Sequence, residues 1–139
     1  MVHHDPLNYW LVKQEPSTYC WDTFLKEGET EWTGVRNFQA RKNLRAMQAG
    51  DQVLFYHSVI RPSVMGVALV VTSAYPDPTA TEGDWSAVIL KPVYTLRRPV
   101  TLAEIKADLD LQDMALIKQS RLSVMSVTKQ EFAKILAKA

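Results

Sequence analysis

Three β-prone runs follow one another in the middle of the chain, and the shortness of the first connection leaves them few ways to pair. Gln52 to Ser58 and Val64 to Thr72 are rich in Val, Leu, Phe and Tyr, and only Val59-Ile60-Arg61-Pro62-Ser63 joins them. That predicts an antiparallel hairpin. A proline-marked loop from Tyr75 to Asp84 leads to a third strand, Trp85 to Leu96, in which Pro92 needs an edge or a bulge because it cannot donate to a ladder.

The flanking segments are mostly helical. Before the hairpin, Tyr9 to Val12 reads as a short strand ended by Lys13-Gln14-Glu15-Pro16. Ser17 to Glu27 reads as a helix with Trp21, Phe24 and Leu25 on one side, closed by Gly28. A helix from Asn37 to about Gln48 should bury Ala40, Leu44 and Met47 and turn Arg41, Lys42 and Arg45 outward, with Phe38 among the cations. After the strands, Thr101 with Glu104 and Thr128 with Glu131 form two capping boxes. Between them, Met114, Leu116 and Ile117 suggest a short helix and Leu122 to Val127 a last strand. The second box opens a terminal helix with Phe132, Ile135 and Leu136 as its stripe. This order predicts an α+β fold with a curled antiparallel sheet or small barrel. It disfavours a parallel nucleotide-binding sheet, and no phosphate loop or dinucleotide fingerprint is present.

With 139 residues, 22% charged and 47% hydrophobic, the chain suits one globular domain. Residues 1–7 are expected to be a poorly ordered tail before a single domain over 8–139. A net charge of +1 permits a local basic patch, because a polyanion feels the local potential. Cys20 is the only cysteine, which excludes an intrachain disulfide and points to a reducing compartment. No run approaches the ~20 apolar residues of a membrane-spanning helix. The expectation is therefore a soluble, cytoplasmic monomer without a membrane role.

Function is concentrated between Glu31 and Arg45, where Trp32, a Gly34 turn, Asn37 and the cations Arg36, Arg41, Lys42 and Arg45 lie close together. Such a segment can receive something flat and anionic: the ring stacks, and Asn37 caps a helix whose positive end suits a phosphate. The alternative is structural, with Trp32 as a core anchor and the cations as a solvated face. Hydrolytic chemistry from Cys20, His57, Ser58 and Ser120 is weakly signalled, because no nucleophile elbow is present. No metal or other cofactor is expected, since His3 and His4 stand in the tail and leave one internal histidine. Nucleic-acid binding fits better. Arg36, Arg41, Lys42, Arg45 and the hairpin-tip Arg61 supply phosphate contacts beside Trp32 and Phe38, and Lys13, Arg97, Arg98 and Arg121 could extend the track.

Several ordered motifs resemble one family. Tyr9 to Pro16, Trp32 to Arg41, Phe55-Tyr56-His57-Ser58, Tyr75-Pro76-Asp77-Pro78 and Gln119 to Ser123 are similar to the EVE domain, over about Asn8 to the C terminus. The resemblance implies a PUA-like fold, a curled mixed or antiparallel β-barrel flanked by several short helices and related to the YTH readers. It further implies a non-catalytic domain that takes an extruded modified base, particularly a modified cytosine in DNA, into an aromatic-polar pocket. In that reading Trp32 stacks on the base, with Thr33 and Tyr56 nearby, while Asn37, His57 and Ser58 read its edge. Lys13, Gln14 and Glu15 stand at the mouth, and Ser120 and Arg121 close it. The family often has Ser where this chain has Gln14 and Tyr where it has Phe38, so the fitting modification can differ. DNA is the expected partner ahead of RNA. An RNA-binding module, or an enzyme acting on a nucleotide or small ligand through His57 or Cys20, remains the alternative.

Overall fold

The computed structural model describes residues 8–139; the expected tail, with His3 and His4, lies outside them. Six strands form one mixed sheet in the order β2-β5-β4-β3-β1-β6. These are β1 (Tyr9–Gln14), β2 (Thr30–Trp32), β3 (Gln52–His57), β4 (Ser63–Pro76), β5 (Ser86–Thr101) and β6 (Val124–Val127). The helices are α1 (Trp21–Glu27), α2 (Phe38–Ala46), α3 (Leu102–Ala107), α4 (Ala115–Lys118) and α5 (Lys129–Lys138), with a 3-10 turn at Leu109–Leu111. The fold is α+β, and the sheet is curled without strict closure.

The predicted hairpin is β3 with β4, antiparallel, and β4 continues against β5. Both long strands outrun their sequence limits, β4 to Pro76 and β5 to Thr101. Register shifts along their ladder, one of them beside the Ala68–Pro92 pair, absorb the prolines and bend the sheet. The single parallel pair among the described residues is β1 with β3, which the chain reaches through α1, β2 and α2. Edge strand β6 covers the other side of β1.

Local signals fix the helix ends. Thr101 and Thr128 accept from the amides of Glu104 and Glu131, whose carboxylates return the bond, so both capping boxes form. Asn37 Oδ1 accepts from the Ala40 amide at 2.9 Å and starts α2, whose Ala40 and Leu44 are buried together with Met47 just beyond it. The first helix is shorter than expected. Thr18 and Tyr19 donate their amides to the Glu15 carbonyl, so residues 16–19 form a turn, Cys20 is extended and α1 begins at Trp21. No helix among the described residues is long and apolar enough to cross a membrane.

The core carries an aromatic cluster at one end of the sheet. Trp21, Phe24 and Trp32 surround Phe55 at centroid distances of 5.2, 5.4 and 5.7 Å. Trp21 is held by its indole N–H donating to Thr95 Oγ1 at 2.8 Å, and its six-membered ring lies directly on Gly66, where even a Cβ would meet it well inside van der Waals contact. Gly66→Ala is therefore expected to destabilise the domain by roughly 1–3 kcal/mol through overpacking. An unchanged denaturation midpoint would contradict this contact.

Candidate functional site

The turn at Glu15–Tyr19, the end of β1 and the end of β2 converge on a cavity of about 300 Å³ lined by Gln14, Thr18, Tyr19, Thr30, Glu31, Trp32 and Thr33. That volume is at the lower end of small-molecule sites, about 300–1,000 Å³. Its aromatic surface comes from Trp32 and Tyr19, whose rings meet edge to face at 81° with centroids 6.1 Å apart. Trp32 is only 4% exposed, so most of the indole is core. The Tyr19 hydroxyl donates to Glu27 Oε1 at 2.6 Å, and burial, with Glu27 assisting, pushes its pKa up to about 12. Glu31 is engaged by the Tyr75 hydroxyl at 2.6 Å. The remaining lining groups, three threonine hydroxyls and the Gln14 amide, can both donate and accept.

Of the residues singled out in the sequence, Gln14, Trp32 and Thr33 share this cavity. Asn37, Ser120 and Arg121 line a separate one of about 270 Å³ with Gln39, Gln119 and Leu122, and the Asn37 side chain is committed to its helix cap. Tyr56 is a core residue: burial pushes its pKa up to about 12, and Lys13 lies over its ring. Lys13 donates to the Ser120 carbonyl at 2.8 Å, tying β1 to the segment before β6; its burial lowers the ammonium pKa. His57 Nε2 accepts from the Trp21 amide at 3.0 Å, satisfying a first-turn donor of α1, and burial lowers its pKa against an opposing pull from Asp22. Ser58 donates its amide to the Gln14 carbonyl at 2.9 Å, and Glu15 accepts from the turn through its carbonyl. Cys20 precedes α1 with its thiol 3.2 Å from Thr23 Oγ1.

Neither Tyr19 nor Thr18 was marked by the sequence. Their place in the cavity follows from the turn onto Glu15, which local pattern reads equally well as helix. Thr30 and Glu31 are brought in by β2, which is only three residues long and pairs with Val88–Leu90.

The cations sort by partner. Asp77, fully buried, accepts through Oδ2 from the Gly34 amide at 2.8 Å and from Arg36 at 2.9 Å, and through Oδ1 from the Thr79 amide and hydroxyl at 2.7 Å each. Burial alone would raise its pKa, but Thr79, Arg36 and Gly34 together hold the carboxyl well below the usual range. Arg45 pairs with Asp84 at 2.9 Å and donates to Ser86. Arg41 donates to the Asp84 carbonyl at 2.8 Å. Lys42 is exposed. Arg61 stands apart at the β3–β4 tip, lining a different cavity with Pro62, Thr101, Leu102, Ala103 and Lys106. Phe38, on the cationic side of α2, is 69% exposed and stacks on Trp85 with centroids 5.3 Å apart and planes 13° from parallel. Arg41 lies 4.9 Å from the Phe38 centroid and 5.3 Å from that of Trp85, and Arg36 lies 5.7 Å from Trp85.

Known proteins share this architecture. Mouse thymocyte nuclear protein 1 is 34% identical over 164 residues, covering 94% of this chain and 73% of the mouse protein. A solved Agrobacterium tumefaciens protein superposes with a TM-score of 0.92 at 40% identity, covering 94% of this chain and 92% of that one. The human THYN1 protein, solved in complex with 5-methylcytosine-containing DNA, superposes with a TM-score of 0.87 at 31% identity, covering 94% and 96%. The Mmi1 YTH domain, at 15% identity and a TM-score of 0.60, shares the fold, which is PUA-like. The EVE domain model matches residues 8–138, nearly all of the described chain. With the aromatic-lined cavity and the α2 cations borne on that fold, this chain belongs to the EVE domain family.

Proposed function

We propose that the domain is a non-catalytic reader of modified bases in DNA, which holds an extruded modified cytosine in the cavity of Gln14, Tyr19, Trp32 and Thr33. The observation that carries this reading is the cavity itself, where aromatic surface, neutral groups able to donate and accept, and the Glu31 carboxylate held by Tyr75 line a space suited to one small ring. A base stacked there recovers the few kcal/mol lost on leaving the helix through ring contact and hydrogen bonds to its Watson-Crick edge. The DNA-bound human relative supports the same reading. A binding role without catalysis is supported by His57 and Cys20, whose polar atoms contact Trp21 and Thr23 outside the cavity lining. Arg41 and Lys42 are the foremost phosphate ligands, because Arg36 and Arg45 already face carboxylates. Binding should accordingly weaken as salt rises.

Titration of one short single-stranded DNA carrying cytosine, 5-methylcytosine or 5-hydroxymethylcytosine tests the proposal. The modified forms are expected to bind more tightly. Gln14→Ser, which shortens a lining side chain at a strand end, should shift preference towards the bulkier hydroxymethyl group while leaving the melting temperature nearly unchanged. Equal affinity of the wild type for all three oligonucleotides overturns the reading. The RNA version of the same sequence, expected to bind more weakly, decides between the two nucleic acids through its 2′-hydroxyls.

A further inference from the structure

We propose that the Phe38–Trp85 stack is a second nucleobase site, which takes the base of an unpaired nucleotide on the same strand as the one in the cavity; this rests on the base-reading role above. Phe38 opens α2 on the side opposite the buried Ala40 and Leu44, so the core does not require it there. A phenyl ring left 69% exposed is instead held flat by Trp85, 13° from parallel. The position of Arg41 shows which face is open. Its distances to the two ring centroids, 4.9 and 5.3 Å, nearly equal the 5.3 Å between the centroids. The guanidinium therefore lies on the side of Phe38 that Trp85 also faces, over both rings. One capping the outer face of Phe38 would stand much farther from Trp85. The outer face is thus free of Arg41, with the cation behind it, and this is an arrangement on which a base stacks.

Charge and position fit the same occupant. Arg36 and Arg45 are matched by Asp77 and Asp84, whereas Arg41 meets only the Asp84 carbonyl and Lys42 has no ion pair among the described residues. Two positive charges beside the platform remain for a phosphate. Thr33, in the cavity, is five residues from Phe38, so the two sites are no more than about 18 Å apart along the chain. One carboxylate fixes them relative to each other: Asp77 Oδ2 holds the Gly34 amide next to the cavity and the Arg36 guanidinium that lies over Trp85. Two nucleotides close together on one strand can engage both.

The test uses Phe38→Ala and Phe38→Tyr with single-stranded DNA carrying either cytosine or 5-methylcytosine. Phe38→Ala is expected to weaken both oligonucleotides by the same factor, about ten-fold or more, leaving their affinity ratio and the melting temperature unchanged. Phe38→Tyr, which keeps the plane, should bind like the wild type. Tryptophan fluorescence gives a second readout, since Trp85 is the one of four tryptophans that is not buried. Its quenching by either oligonucleotide should be reduced in Phe38→Ala. Wild-type affinity of Phe38→Ala for both oligonucleotides overturns the platform. Failure of the cavity reading looks different: the wild type shows no preference between the two, yet Phe38→Ala still weakens both. A wild type that binds neither overturns both proposals.

Discussion

Trp32→Ala is expected to lower the free energy of unfolding by about 3–5 kcal/mol, a large part of the ~5–15 kcal/mol that holds a typical domain together. The indole is 4% exposed and packs edge-on against Phe55 at 85° and Tyr19 at 81°. Its removal opens a void under the aromatic cluster and strips the cavity of its larger ring. Urea denaturation should show a lower midpoint with an unchanged slope. Loss of oligonucleotide binding by this variant is informative only at temperatures where it is folded. Trp32→Phe separates the two roles: it keeps a ring in the core, and should lose much of any modified-base preference for a smaller cost in stability. A Trp32→Ala variant within about 1 kcal/mol of the wild type contradicts the burial of the indole.

Asp77→Asn is expected to cost on the order of 3 kcal/mol, although it changes almost no volume. Both carboxylate oxygens accept two donors, so whichever way an amide is turned its NH₂ faces either Gly34 and Arg36 or the two groups of Thr79. One backbone amide is left unsatisfied, Gly34 in one orientation and Thr79 in the other, and in either the charge that pairs with Arg36 is lost. The figure falls short of a fully buried ion pair because Arg36, 38% exposed, can turn to water. The pH dependence has a definite sign. The native carboxyl titrates below its unfolded value of about 3.9, so its contribution is complete above that pH and is lost as the pH falls further. Wild-type stability should decline more steeply below about pH 4 than that of Asp77→Asn. Parallel curves for the two proteins would contradict the assigned hydrogen bonds. Oligonucleotide binding at neutral pH should also weaken in Asp77→Asn, since the same carboxylate places Gly34 and Arg36.

The legible parts of the fold are those written in short stretches of chain. Asn37, Thr101 and Thr128 cap helices through side chains that reach amides three residues on, and the α2 stripe follows from its period. Where distant partners intervene, the reading stopped short. Strand β2 has too few residues to show alternation and exists because Thr30–Trp32 meet Val88–Leu90. Strand β4 runs on to Pro76 in a stretch that locally reads as loop, and β5 runs past Pro99, since their mutual ladder shifts register along the way. The parallel β1–β3 pair has no local signature either. The site divides in the same way. Trp32, Gln14 and the α2 cations stand out by residue type, but Tyr19 enters the cavity through a turn that could have been helix.

The sequence by itself determined the α+β class, the hairpin, the helix caps, the family and the segment in which function resides, because these depend on residues a few positions apart or on motifs read in order. The tertiary structure decided what each residue of that segment does. It buried most of Trp32, spent Asn37 on a cap, set Asp77 against Gly34 and Arg36 across some forty residues, and brought Trp85 under Phe38. Those placements depend on strand pairing and loop return between distant positions, where the free energy of burial and of satisfying buried donors selects one arrangement that no local pattern encodes.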